Sequence, residues 1–143
     1  TPPFRLIVVG SPAYFAQTPR PERQDDLGRH ACLRLRRSSG ALAPWLLDDD
    51  GRATEATVSG PFIANDFPTM LGAAVEGVGL AQVPEPIAAE LLRTGKLVQV
   101  LEHFASTAPG MFLYHPGRRQ MTPKLRAFID HVKYRPEAAS REP

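Results

Sequence analysis

The richest patterning of apolar and polar positions lies between Ser59 and Leu101. Phe67, Met70, Leu71, Ala74 and Val75 recur at i, i+3, i+4, i+7 and i+8, which sets them on one face of a helix. Asn65 or Asp66 can cap its first turn, and Pro68 fits there because the first N–H groups of a helix have no partner within it. Gly77 and Gly79 end the helix, and Leu80-Ala81-Gln82-Val83 reads as a short buried strand. Pro84 and Pro86 open a second helix that carries Ile87, Leu91 and Leu92 and stops at Gly95. Leu97 to Leu101 is a further strand. Strand, helix, strand, helix, strand with short turns predicts an open α/β layer with a mostly parallel sheet.

The flanking patterns are shorter. Arg5 to Gly10 reads as a buried strand, followed by Ser11 as a helix cap and Pro12 at the first helical position. Ser11 can serve as a cap alone, or its helix start can also hold an anionic or hydroxylated ligand. Gln17 to Arg23 is a proline-punctuated loop, and Asp25-Asp26-Leu27 suits one helical turn. Ala31 to Arg36 alternates, with Ala31, Leu33 and Leu35 inward and Cys32, Arg34 and Arg36 on the other face. An arginine pair on a strand face reads as solvated surface. Trp45-Leu46-Leu47 and the run Thr54 to Ser59 form a hairpin about an Asp-Gly turn. Glu102 to Gly110 is a connector and Met111 to Tyr114 a strand. Thr122 caps a last helix with Leu125, Phe128, Ile129 and Val132 as its buried stripe. Arg135 to Pro143 lacks periodicity and reads as a flexible tail.

Composition changes this picture only at its edges. The 143 residues are 43% apolar, enough for one core, and a net charge of +2 with interspersed signs makes no case for nucleic acid. The single cysteine, Cys32, excludes an internal disulfide framework and a multi-cysteine zinc site, and fits a reducing cytoplasm. No apolar run reaches the roughly 20 residues that span a membrane. The chain starts at Thr1, almost at once in a strand, and so reads as part of a longer protein.

Reactive chemistry is sparse. Asp48-Asp49-Asp50-Gly51 lacks the alternating ligands and closing glutamate of a calcium loop. Gly77-Val78-Gly79 follows a helix and has Gln82 where a dinucleotide fingerprint needs its third glycine. His30, His103, His115 and His131 show no paired metal spacing, and Cys32 on its strand reads as packing. No catalytic residue, metal or cofactor emerges, so the expectation is a protein that is not an enzyme. In open α/β sheets ligands bind beside helix starts at the carboxyl ends of strands. Two such ends occur, at Ala64-Asn65-Asp66 and Val83-Pro84-Glu85, and they suggest binding rather than reaction.

Several stretches, taken in order, resemble the LysR-type transcriptional regulators. Val8-Val9-Gly10-Ser11-Pro12-Ala13-Tyr14-Phe15 is similar to their Ala-Ser-Pro-x-Tyr-Leu stretch, and Asp25 to Leu33 looks like the short helix and strand that follow. Asn65-Asp66 through Ala73-Ala74-Val75-Glu76-Gly77-Val78-Gly79-Leu80-Ala81-Gln82-Val83-Pro84 resembles their most recognisable segment. Gly95 to Leu101 and Leu125 to Asp130 complete the set, which covers Phe4 to Val132.

The resemblance implies a periplasmic-binding-protein-like, two-lobed α/β fold with lobe two complete and lobe one partial. Residues 1–10 would be a hinge strand from lobe one and 11–101 lobe two. Residues 102–134 would return with the closing strand and helix of lobe one, and 135–143 would be the tail. It also implies an effector-sensing domain that binds a small acidic or aromatic metabolite between the lobes, in a cytoplasmic regulator that is a homo-oligomer. DNA would be bound only through an N-terminal helix-turn-helix domain that has no counterpart here. By match to family positions, the effector-binding candidates are Ser11, Pro12, Asn65, Asp66, Phe67 and Pro84. Helical phase alone places Phe67 with Met70 and Leu71 in the core. A solute-binding receptor of related two-lobed fold is the alternative.

Overall fold

The structure, a computed structural model, describes residues 2–109. The expected strand at Met111–Tyr114, the helix from Thr122 and the tail lie outside the described residues. The described chain begins with strand β1 (Phe4–Gly10), helix α1 (Pro12–Gln17) and a 3-10 turn at Gln24–Arg29. Strands β2 (Arg34–Leu35), β3 (Trp45–Asp49), β4 (Arg52–Ala56) and β5 (Ile63–Ala64) follow. Helix α2 (Phe67–Val75), strand β6 (Ala81–Pro84), helix α3 (Glu85–Arg93) and strand β7 (Val98–Val100) come next. A 3-10 turn at Glu102–Phe104 leads into β8 (Ser106–Ala108).

Local signals account for most of these boundaries. Ser11 caps α1, its Oγ accepting from the Tyr14 N–H at 3.1 Å, and Asp66 caps α2, accepting from the Thr69 N–H at 2.7 Å. The β3–β4 hairpin turns at Asp50 and Gly51, whose φ values of 55° and 85° suit a tight turn of the right twist. Gly77, at φ +82°, ends α2. Gly79 has a separate task. A Cβ there would lie 2.4 Å from the Ala31 carbonyl, where the Leu80 N–H also bonds at 2.8 Å, so only glycine lets the two chains pass.

The central four-stranded sheet is antiparallel in every pairing, not mostly parallel as the strand–helix grammar suggested. β1 runs antiparallel to β6 on one edge and to β7 and β8 on the other. The crossover logic itself holds, since β6 and β7 run the same way with α3 between them. What the local pattern does not contain is β1, inserted between them and running against both. Parallel pairing survives between β2 and β5 and at the Cys32–Leu80 bridge. The stretch read as a connector contains β8, which continues along the edge of β1 after Leu101 takes a left-handed turn at φ 52°.

Both faces of this layer are covered, so the packing role read for Cys32 holds while the face it shares with Arg34 is an interior rather than solvated surface. Ile7 and Val9 face α2 and α3 in one core, with Met70, Ala74, Val83 and Ala88. Val8 faces the hairpin in a second core, with Leu27, Trp45, Leu47 and Leu80. Cys32 sits fully buried in this second core, so alternation along its strand separates two interiors rather than inside from outside. Arg34 is half-buried and donates from Nη1 to the Val58 carbonyl at 3.1 Å, while Arg36 stays exposed. In α3 the buried stripe is Ala88 with Leu91 and Leu92 partly covered; Ile87, one position out of phase, is 45% exposed.

Candidate ligand-binding site

The register of β1 decides which predicted residues can meet. Leu6 pairs with Pro84 and Val9 with Ala81, so the start of β1 lies at the carboxyl end of β6. The Cys32–Leu80 bridge and the Leu35–Ala64 pair bring the ends of β2 and β5 to that same side. Asn65, Asp66, Phe67 and Pro84 therefore share one end of the sheet, beside the first turns of α2 and α3. Ser11 and Pro12 lie past Gly10, at the opposite end. Leu6 and Gly10 are four residues apart, about 13 Å of extended chain. Strand direction thus sets Ser11 and Pro12 apart from the other four.

The Ser11 end is closed. Ser11 is 1% exposed, its hydroxyl is committed to capping α1, and Gly77 packs over it. Next to it the Tyr14 hydroxyl and His30 Nδ1 lie 2.7 Å apart. Burial pushes the His30 imidazole below its ordinary value, and the Tyr14 phenol above its own. Burial also pushes the Cys32 thiol up to about 12, so it stays a neutral packing group rather than a nucleophile. His103 is exposed, and His115 and His131 lie outside the described residues.

The other end is open. Asn65 and Asp66 are exposed at the surface, and Pro84 is buried at the start of α3. The Thr69 N–H and hydroxyl both bond Asp66 and hold its carboxyl below the usual range. Phe67 packs against the first core, as its helical phase predicts, and also borders a hollow of about 300 Å³. Leu6 of β1, Leu33 and Leu35 near β2, and Met70 of α2 complete the apolar side of the hollow. Trp45 and Leu46 of β3, Gln82 of β6, and the loop residues Arg37, Ala43 and Pro44 form the remainder.

Sequence reasoning missed these last residues, and one signal could have found Gln82. It is the lone polar side chain in an apolar strand, and a buried amide must find partners. Its Oε1 accepts from the Leu46 N–H at 3.0 Å and its Nε2 donates to the Leu46 carbonyl at 2.6 Å. The Ser106 hydroxyl donates to the same carbonyl at 2.9 Å. This clamp ties the hairpin to the central sheet and shapes the hollow. Among the described residues no three His, Cys, Asp or Glu side chains gather as a metal site.

An α/β layer with a mainly apolar hollow at strand ends, beside two helix starts, has the layout of a small-molecule binding module. Comparison with known proteins places it further: residues 3–136 match the LysR substrate binding domain, and the chain belongs to that family. A provisionally named transcriptional regulator of Pseudomonas aeruginosa is 38% identical over 134 residues, 93% of this chain and 44% of that protein. The HTH-type transcriptional regulator PgrR of Escherichia coli is 32% identical over 135 residues, 94% of this chain and 45% of its own length. The chain therefore spans less than half of these relatives. The regulatory domain of a C227S variant of AphB from Vibrio vulnificus superposes with a TM-score of 0.71 at 25% identity, covering 92% of this chain and 65% of that one. The fold is the α/β, periplasmic-binding-protein-like fold of such regulatory domains. Among the described residues no helix is long and apolar enough to cross a membrane.

Proposed function

We propose that this chain is the effector-sensing portion of a transcriptional regulator in which a small metabolite, bound at the open end of the sheet, alters how a separate DNA-binding domain engages DNA. The observation that carries the reading is the asymmetry of the sheet: at one end Ser11 is buried with its hydroxyl committed to a helix cap, and the other end holds the 300 Å³ hollow beside the starts of α2 and α3. Residues 11–101 are then the second lobe. Phe4–Leu6 and Ser106–Ala108, paired antiparallel, are the strands through which it joins the first lobe. Asn65, Asp66, Phe67 and Pro84 belong to the wall that faces the cleft, while Ser11 and Pro12 belong to the lobe's far side.

Mechanistically, a ligand can bias lobe orientation only through a difference in affinity between two arrangements. A coupling of about 1–3 kcal/mol suffices, which is a change of roughly 5- to 150-fold in DNA affinity. The test is to purify the intact protein encoded by the reading frame that contains this chain, and to measure its binding to its own promoter with and without candidate metabolites. Sequence-selective binding that shifts at least fivefold with one metabolite is the expected result. Absence of any sequence preference at moderate salt would overturn the reading.

A further inference from the structure

Leu46 is tied to the central sheet by side chains rather than by a strand. The β3–β4 hairpin is a sheet of its own, joined to the central one along its backbone only at the bridge between Leu47 and Ala105. Gln82 of β6, 8% exposed, accepts from the Leu46 N–H through Oε1 at 3.0 Å and donates to the Leu46 carbonyl through Nε2 at 2.6 Å. Its carboxamide thus stands in for the peptide of a neighbouring strand. Ser106 of β8 donates its hydroxyl to that same carbonyl at 2.9 Å. A carbonyl oxygen has two lone pairs, and here both are used.

Strand register explains why these two side chains converge. Gln82 stands across from Val8 on one edge of β1, and Ser106 stands across from Leu6 on the other. Val8 faces the hairpin core and Leu6 shares its face of β1, so both side chains rise on the hairpin side. The Leu46 carbonyl therefore spans β1 and joins β6 to β8. Its two partners have different surroundings. Leu46 and Gln82 border the hollow, and Leu46 is 40% exposed. Ser106 does not border it, and lies on the strand that joins the lobes in the reading above. The Leu47–Ala105 bridge, one residue along each strand, pins hairpin and β8 together there, so a tilt of Leu46 about it alters the Ser106 contact.

We propose that the Leu46 carbonyl relays the state of the hollow's wall to β8, with Gln82 and Ser106 as its positioning residues. The inference rests on the ligand-sensing reading and assigns residues to its regulation. An occupant of the hollow, whatever its chemistry, meets Leu46 and Gln82 in the wall. Moving either one re-aims the shared carbonyl, and Ser106 loses or regains its acceptor. The two hydrogen bonds also polarise one another, so weakening one weakens its neighbour.

The test needs no occupant. In the ¹⁵N-labelled full chain, amide exchange reports how often each strand pairing opens. Ser106→Ala deletes one arm of the relay at a half-buried position, and Gln82→Met deletes the other at similar volume. Each should speed exchange across the β1–β8 pairing about fivefold, the scale of one net hydrogen bond. The double variant should be no faster than the faster single one, because both arms act through one carbonyl. Exchange across the β1–β7 pairing should stay at the parent rate. Ser106→Thr, which keeps the hydroxyl, should restore parent rates throughout. If Gln82→Met does not fold, Ser106→Ala carries the test: the Gln82 side-chain amide signals should move in it and return in Ser106→Thr. Unchanged β8 exchange in Gln82→Met, effects that multiply in the double variant, equal acceleration of β7 and β8, or unmoved Gln82 signals in Ser106→Ala would each overturn the inference. The readout lies within this chain and does not involve DNA. Failure here therefore leaves the regulatory reading standing, and a regulator indifferent to metabolites would sink that reading without altering these rates.

Discussion

The two ends of the central sheet carry nearly the same local sequence device and put it to different uses. At one end β1 runs into Ser11-Pro12, a hydroxyl cap before a proline-started helix. At the other, β5 runs into Asp66-Phe67-Pro68, a carboxylate cap before a proline-started helix. The Ser11 end is sealed by Gly77, Tyr14 and His30, while the Asp66 end opens on the hollow bounded by Phe67, Trp45 and Gln82. The lesson is that a helix start marks a binding site only when strand direction places it on a cleft. A cap by itself is structural.

The closed end should be the more sensitive to added atoms. Gly79→Ala forces a Cβ against the Ala31 carbonyl and should cost about 3 kcal/mol, read as a lower urea midpoint at unchanged slope. A neutral outcome would mean that the Ala31–Leu80 contact is looser than described. Ser11→Ala removes a buried cap and should cost about 1 kcal/mol while leaving the metabolite response of the intact protein unchanged. Weakened ligand binding in that variant would erase the distinction between the two ends. Gly72→Ala, within α2 where nothing lies near the added carbon, should have the opposite sign and stabilise by about 0.7 kcal/mol.

The smallest effect concerns pH and again singles out the closed end. His30 has a lowered value in the folded chain, so below its unfolded value of 6.5 the unfolded state takes up the proton first. Stability is complete above pH 6.5 and should decline as pH falls below it. His30→Gln should flatten the slope between pH 7 and 5. The carboxylates of Asp26 and Asp66, also lowered, contribute above their unfolded value of 3.8 and lose that contribution only at more acid pH, outside this window. A slope that survives in His30→Gln would assign the titration to another group.

What the sequence disclosed follows contact range. The Ser11 and Asp66 caps, the Asp50-Gly51 turn and the helical phase of Phe67, Met70 and Ala74 each depend on neighbours within a few residues, and all were legible. The partner of Gln82 lies 36 positions away at Leu46, and β1 meets β8 across a hundred residues. No local period encodes either contact. The direction of β1 between β6 and β7 belongs to the same group, and it sets Ser11 and Pro12 apart from the other four candidates. The face shared by Cys32 and Arg34 was misread as solvated for another reason: alternation reports that two faces differ, but not that both are buried.

The most direct test of the account is a map of ligand-induced amide shifts on the ¹⁵N-labelled chain titrated with a metabolite that shifts promoter binding of the intact protein. Shifts confined to Leu35, Arg37, Leu46, Phe67, Gln82, Ser106 and the Trp45 indole, with Ser11, Tyr14 and Gly77 unmoved, are the predicted result. Shifts centred on Ser11 and Gly77, or none at either end, would contradict the assignment of the open end as the sensing face.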